Sequence, residues 1–213
     1  MLARYGEVNT PERWHAPPVE VRTLQSMLTR LEALKGELER EQLRLDSAQH
    51  TKAPALVLES LDTHIAFLQK LIRQLENDID QHIDRHPDLR QDRQLLQSIP
   101  AVGKVVSRTM LATLHRYRFR SAEQLAAWMG LVPVERQSGS SVHGPARMSK
   151  VGPARLRAQI YMGALTAIAS NPPIKLHYER LLARGKCKKA ALGAAMRKLV
   201  TSMLRGGEEP AAI

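Results

Sequence analysis

Leucines recur at Leu24, Leu28, Leu31, Leu38 and Leu45, and a second stripe runs through Leu61, Ile65, Leu68, Ile72, Leu75 and Ile79. Steps of four, three and seven keep apolar side chains on one side of a helix, and heptad spacing marks a seam between two helices. Lys35 and Gln42 occupy the skipped seam positions of the first stripe. Lys52-Ala53-Pro54 breaks the pattern and His86-Pro87 ends it, because proline removes a backbone donor and clashes with the preceding turn. Two helices of roughly 28 residues, each about 40 Å long at 1.5 Å per residue, predict an antiparallel helical hairpin. A coiled-coil arm that pairs with a second copy satisfies the same spacing.

Charge divides the chain at nearly the same place. Residues 1–93 carry 13 Lys/Arg against 16 Asp/Glu; residues 94–213 carry 19 Lys/Arg against 5 Glu and no Asp. A segment so basic suits a polyphosphate partner, which makes nucleic acid the first expectation. Aromatic residues are scarce at 4%, and the apolar content is mostly Leu, Ala, Val and Met, a mixture that favours helices over sheets. The single cysteine, Cys187, excludes an internal disulfide and suits a reducing cytoplasm. No apolar run approaches 18 residues, so no membrane association is expected, and the protein is placed in the bacterial cytoplasm with the nucleoid.

The expected architecture is all-α. Residues 1–18, with three prolines, form an irregular lead-in; 19–88 form the coiled-coil hairpin; 89–206 form a compact helical domain; 207–213 form a tail. Within that domain, Ile99-Pro100-Ala101-Val102-Gly103-Lys104 joins two helical stretches and matches a helix-hairpin-helix. Its turn and the next helix N-terminus offer backbone N–H groups to a phosphate, with Ile99, Gly103 and Lys104 at the contact. Ser121 is a good N-cap for a helix over 122–129. From Pro133 to Pro153 no period survives, and a long loop is expected with no confident strand. Helices are expected over 154–170, 174–183 and 186–204, with Lys186, Lys188, Lys189, Arg197 and Lys198 adding general attraction for a nucleic-acid backbone.

The loop holds the candidate chemistry. A serine hydroxyl is a poor nucleophile without a base, a metal or a strongly positive setting. Ser138, Ser140 and Ser141 lie among Arg136, His143, Arg147, Lys150, Arg155 and Arg157, which would stabilise charge on a pentacoordinate phosphate. Gly139 and Gly144 would let the backbone approach a strand closely. The same residues also describe a loop whose hydroxyls only donate hydrogen bonds to phosphate, and chemistry alone does not rank the three serines. Glu76, Asp80 and Asp84 recur every four residues on the outer face of the second helix and read as a solvated stripe, not a metal site. His82 and His86 read as a surface pair. Cys187 between two lysines fits a lowered thiol pKa, or simply a basic helix, and Tyr161 and Tyr178 have packing neighbours.

Ala126-Ala127-Trp128-Met129-Gly130-Leu131-Val132-Pro133, Gln137-Ser138-Gly139, Ser149-Lys150-Val151-Gly152 and Leu156-Arg157 follow one another in the order seen in the IS110-type, DEDD insertion-sequence transposases, the group that includes the Piv pilin-gene invertases. The resemblance continues through Asn171-Pro172, Tyr178-Glu179-Arg180-Leu181, Gly185-Lys186 and Ala195-Met196-Arg197-Lys198-Leu199. It implies a DNA transposase or site-specific recombinase whose serine forms a phosphoserine intermediate with DNA, and by motif position that serine falls on Ser138. Arg136, Gly139, Arg147, Lys150, Arg155 and Arg157 then become phosphate clamps. It also implies work as an oligomer, here through the coiled coil, and in some members a structured guide RNA. Magnesium in that family belongs to an acidic RuvC-like domain. Ala3-Arg4-Tyr5-Gly6 resembles the segment just after that domain, so this chain is expected to bind no cofactor itself. The alternatives are a truncated, non-catalytic nucleic-acid-binding module and a coiled-coil assembly protein that binds RNA.

Overall fold

The computed structural model describes residues 15–138 and 142–205, and the side chains of all of these except 135–138, 142–146 and 205. Ala3–Gly6, most of the lead-in, Gly139, Ser140, Ser141 and the tail from 206 lie outside the described residues. The fold is all-α, with eight helices and one small β-hairpin among the described residues.

α1 (Val19–His50) and α2 (Ala55–Arg85) are the two long helices. Pro18 immediately precedes the first, and Lys52 at φ 54° followed by Pro54 closes it before α2 begins. Cross-links join residues whose numbers run in opposite senses along the two helices. His82 Nε2 meets the Glu20 carbonyl at 2.8 Å, Lys35 Nζ donates to Glu76 at 2.6 Å, and His64 lies 3.3 Å from Glu41. The pair is therefore antiparallel.

Its seam departs from the heptad reading at two positions. Leu34, not Lys35, is buried, and Glu41, not Gln42, takes the next inward place at 7% exposure. Steps of three and of four both return to one helix face, so the apolar Leu34 takes the inward place between Leu31 and Leu38 and the charged Lys35 does not. Lys35 is thereby free to leave the seam for Glu76, while Glu41 receives Arg44 Nη1 at 2.6 Å. On α1 the buried apolar residues end at Leu34, and on α2 they begin at Ile65.

α3 (Pro87–Ser98) starts at the predicted break, with Pro87 in the first turn where no donor is needed. α4 (Lys104–Arg116) follows a short turn, packs against α1, α3 and the later helix over 154–170, and reaches α2 through Arg108 and Asp80. α5 (Ala122–Trp128) is capped as expected, Ser121 accepting from the Gln124 N–H. Next come β1 (Pro133–Ser138) and β2 (Val142–Met148), then α6 (Ala154–Ser170), α7 (Pro172–Ala183) and α8 (Lys188–Arg205). α7 begins two residues earlier than expected because Asn171, itself buried, caps it through Oδ1, and both prolines fit its first turn. α8 buries Ala191, Leu192, Ala195, Met196, Leu199, Val200 and Met203 and packs on α5, α6 and α7. Small residues (Gly163, Ala164, Ala167, Ala195) line these crossings, so the backbones approach closely.

Candidate nucleic-acid interface

The stretch expected to be one long loop is mostly an antiparallel β-hairpin. Pro133 pairs with Met148, Val134 with Arg147, Arg136 with Gly144, Gln137 with His143, and Ser138 with Val142. The register slips between Val134 and Arg136. Pro145, which has no N–H to give a ladder, falls opposite that slip, where a missing donor is tolerated. Few of these residues are apolar and neither strand alternates, so no period of two is visible in the sequence; backbone pairing makes the strands. Ser138, paired with Val142, is the last described residue of β1.

Two glycines lock the base of this hairpin. Gly130, at φ 69°, leaves room for the backbone of Lys150 and Val151; a Cβ there would stand 2.2 Å from the Val151 carbonyl oxygen. Gly152, at φ 88°, leaves the same room for Trp128, whose carbonyl oxygen would be 2.0 Å from a Cβ. The Lys150 N–H donates to the Gly130 carbonyl at 3.2 Å and the Ser149 N–H to Val132 at 2.9 Å. Arg157 Nη1 closes the clasp by donating to the carbonyls of Met129 and Val151, at 3.1 and 3.2 Å. Lys150 itself sits at φ 59°, a left-handed conformation that costs a non-glycine residue about 1–2 kcal/mol.

The expected phosphate contacts therefore divide. Arg136 and Ser138 are strand residues whose side chains lie outside the described set, and Gly139 lies outside it altogether. Arg147 and Lys150 are exposed at the hairpin base. Arg155 is also exposed, but its Nη1 contacts Glu32 Oε2 of α1 at 3.1 Å. Arg157, expected as a clamp, spends Nη1 on the protein's own backbone and braces the clasp in this conformation. Lys186, Lys188 and Lys189 are exposed around the α7–α8 turn, where Gly185 at φ 79° ends α7. Arg197 is half-buried, and Lys198 Nζ donates to the Pro173 carbonyl at 3.0 Å. Burial, and then the positive charges of Lys198 and Arg180, push the imidazole of His177 below its usual range, so it is neutral at pH 7.

At the start of α4 the turn differs from the glycine turn expected. Gly103 is extended at φ −85° with no atom within 4 Å of a would-be Cβ; the left-handed residue is Ala101, at φ 80°. Ile99 is half-buried against the core, and Lys104 is exposed, 3.8 Å from Asp80.

Asp80 overturns the solvated reading of the acidic stripe. It faces the helical domain and accepts from Arg108 Nε at 2.9 Å and Nη2 at 2.6 Å, with Arg93 3.6 Å away. Arg93 also pairs with Asp84, and Glu76 with Lys35. The acids are taken up by cations, and among the described residues no group of three metal-ligating side chains exists. His82 and His86 are not a free surface pair either: their rings lie 4.5 Å apart, half-buried, and both bond to backbone carbonyls.

Burial raises the Asp80 carboxyl pKa, but the Arg108 hydrogen bond and the charges of Arg108, Lys104 and Arg93 outweigh it, so the group lies below its ordinary value. A carboxyl with a folded pKa below its unfolded one, about 3.9, stabilises the fold above that pH, and loses that contribution as pH falls through the folded value. Acid below about pH 4 is therefore expected to loosen the joint between hairpin and domain. Arg108 is only 5% exposed, so Asp80→Ala leaves a buried charge unpaired and should cost about 2–4 kcal/mol in urea denaturation. A loss under about 0.5 kcal/mol would show that the joint does not depend on this pair.

The residue pattern has relatives. Residues 93–179 match the model of the IS116/IS110/IS902 transposase family. The pilin gene-inverting proteins of Moraxella bovis and Moraxella lacunata are each 30% identical over 203 residues, 94% of this chain and 62% of theirs. An insertion element IS110 protein of Streptomyces coelicolor is 29% identical over 156 residues, 71% of this chain and 37% of its own length. The chain thus spans about three fifths of the pilin gene-inverting proteins. No described helix is long and apolar enough to cross a membrane.

Proposed function

We propose, from the match of residues 93–179 to the IS116/IS110/IS902 transposase family, that this chain binds DNA and transfers strands through a covalent bond to Ser138. One observation carries this reading most of the way: the serine ends a strand whose base is locked by Gly130, Gly152 and Arg157, with exposed Arg147 and Lys150 at that base. A nucleophile needs a fixed platform and cations near the phosphate, and a rigid clasp below a short hairpin supplies the first.

In the reaction, Ser138 Oγ attacks a DNA phosphorus, its proton leaves to solvent or a base, and the phosphodiester bond to one deoxyribose oxygen breaks. That oxygen departs as a hydroxyl, leaving a phosphoserine ester. A second DNA hydroxyl then attacks the same phosphorus and releases the serine, so the number of phosphoester bonds is conserved. Arg136, Arg147 and Lys150 are the clamps of this step, with Gly139 allowing close approach; Arg155 joins them if its bridge to Glu32 opens. Ile99, Gly103 and Lys104, the lysines at 186, 188 and 189, Arg197 and Lys198 serve the duplex backbone. The acids of the 76–84 stripe are ion-paired, no group of three metal-ligating side chains exists among the described residues, and in this reading magnesium is held by a RuvC-like domain.

Denaturing electrophoresis of the chain after incubation with nicked DNA and magnesium, with and without a RuvC-like domain, tests the proposal. A protein–DNA adduct that survives denaturation supports it. DNA binding with no adduct, even when the acidic domain is supplied, returns the chain to a non-catalytic binding module.

Oligomerisation belongs to the same reading. Leu43, Leu56 and Phe67 are 63%, 78% and 55% exposed on the long helices, beyond their buried seam. Exposed apolar side chains on the outer parts of long helices favour pairing with a second copy. Phe67→Glu with Leu56→Glu is expected to shift the protein from dimer to monomer in light scattering; an unchanged mass places the contact elsewhere.

A further inference from the structure

A cavity of about 390 Å³ opens between the long hairpin and the helical domain. α1 contributes Thr29 and Glu32, α4 contributes Thr113 and Arg116, and the aromatic walls are Tyr117 and Trp128. Its volume is near the lower end of small-molecule pockets, roughly 300–1,000 Å³, too small for a duplex or a protein helix. We propose that this cavity takes a single unpaired nucleobase of the bound nucleic acid, stacked against Tyr117 and Trp128. The inference rests on the nucleic-acid-binding reading above and adds a site that the strand-transfer step does not use.

The chemistry of the walls singles out that ligand. The chain has eight Phe, Trp and Tyr residues, and three of them meet here: Tyr117 lies 5.0 Å from Trp128 and 6.1 Å from Phe119, and Phe119 lies 5.6 Å from Trp128. Three rings in contact would normally close into core, yet Tyr117 remains 38% exposed. The Arg116 guanidinium stands 5.3 Å from the centre of the Tyr117 ring, and Arg118 and Arg120 follow on the exposed connection. An aromatic face beside a row of guanidinium groups matches a base and the phosphates that flank it. Glu32 is held by Arg155, so a carboxylate is fixed where the amino group of a base needs an acceptor, while Thr29 and Thr113 line the same space with their hydroxyl protons donated to backbone carbonyls of their own helices. A lipid tail would find Glu32, Arg116 and Arg155 unfavourable, and an acidic peptide would find no use for the exposed Tyr117 ring.

Either DNA or RNA supplies such a base, and matched probes separate them. The chain is titrated with short single strands of DNA or RNA that carry a fluorescent adenine analogue, and with a duplex in which the analogue is paired. The expected result is quenching of the analogue when it is unpaired. Tyr117→Ala should weaken single-strand binding roughly 5- to 100-fold and leave the duplex within about twofold; Tyr117→Phe keeps the stacking face and should bind as wild type. Thr29→Trp fills the cavity from the exposed side of α1 and should give the same loss with all three rings intact, so a folding defect in the tyrosine variant does not decide the matter. The strand type that shows the loss identifies the source of the base. Duplex binding with no effect of Tyr117→Ala or Thr29→Trp on either single strand overturns the cavity assignment and spares the DNA-binding reading. Failure to bind any of the three nucleic acids overturns both.

Discussion

Ser138→Ala is expected to abolish the covalent protein–DNA adduct, a loss on the order of 10³-fold or more, while duplex affinity stays within about twofold. The two readouts separate because they depend on different groups. Affinity for a duplex comes from many Lys and Arg contacts with phosphate, and one neutral hydroxyl adds little to that sum. Covalent chemistry depends on one oxygen, and alanine has none to form the phosphoester. Ser140→Ala and Ser141→Ala are the matched controls. Both lie within three residues of Ser138 in sequence, and both should retain the adduct if the proposal places the nucleophile correctly at Ser138. Adduct lost from Ser140→Ala or Ser141→Ala and kept in Ser138→Ala would move the nucleophile and end this assignment. Arg147→Ala and Lys150→Ala should each reduce adduct yield and lower the salt dependence of binding by about one phosphate contact.

How far the sequence reached depended on whether a contact was local. Helix ends were legible where Pro18, Pro54, Pro87 and Ser121 act on the turn they precede, whereas at Asn171 the cap and its two prolines read as the break between helices. The seam was legible in outline; Leu34 and Glu41 took the places of Lys35 and Gln42 because steps of three and of four reach the same helix face, and strict heptad counting admits only one of them. The β-hairpin was not legible, since its pairing involves backbone groups that any sequence carries. Asp80 was misplaced for a related reason. A charged residue defaults to solvent, and its partner Arg108 lies 28 residues away, further than any spacing rule reaches. Of the serine platform, the motif around Gly130 and Gly152 was visible, but the need for glycine there appears only when residues 128–130 and 150–152 meet across the hairpin base.

That meeting leads to the largest stability effect expected of any single substitution considered. Gly152→Ala should cost about 3–5 kcal/mol, enough to leave a marginal domain largely unfolded. Part of the cost is conformational, because φ 88° is a region that an L side chain rarely adopts. The greater part is steric: the new Cβ would stand 2.0 Å from the Trp128 carbonyl oxygen, and backbone must move to relieve it. Two other glycines calibrate the claim. Gly185 shares a positive φ, 79°, but has open space around it, so Gly185→Ala carries only the conformational part, about 1 kcal/mol. Gly103 is extended and unobstructed, so the poorer N-cap and the stiffer unfolded chain oppose one another and Gly103→Ala should stay within about 0.5 kcal/mol of wild type. Urea denaturation of the three variants should therefore rank Gly152→Ala far below Gly185→Ala, with Gly103→Ala near wild type. Equal midpoints for the 152 and 185 variants would mean that the clasp yields without cost. Ser138 would then lack a rigid platform, because a hairpin whose base gives way freely cannot hold a nucleophile in line with phosphorus.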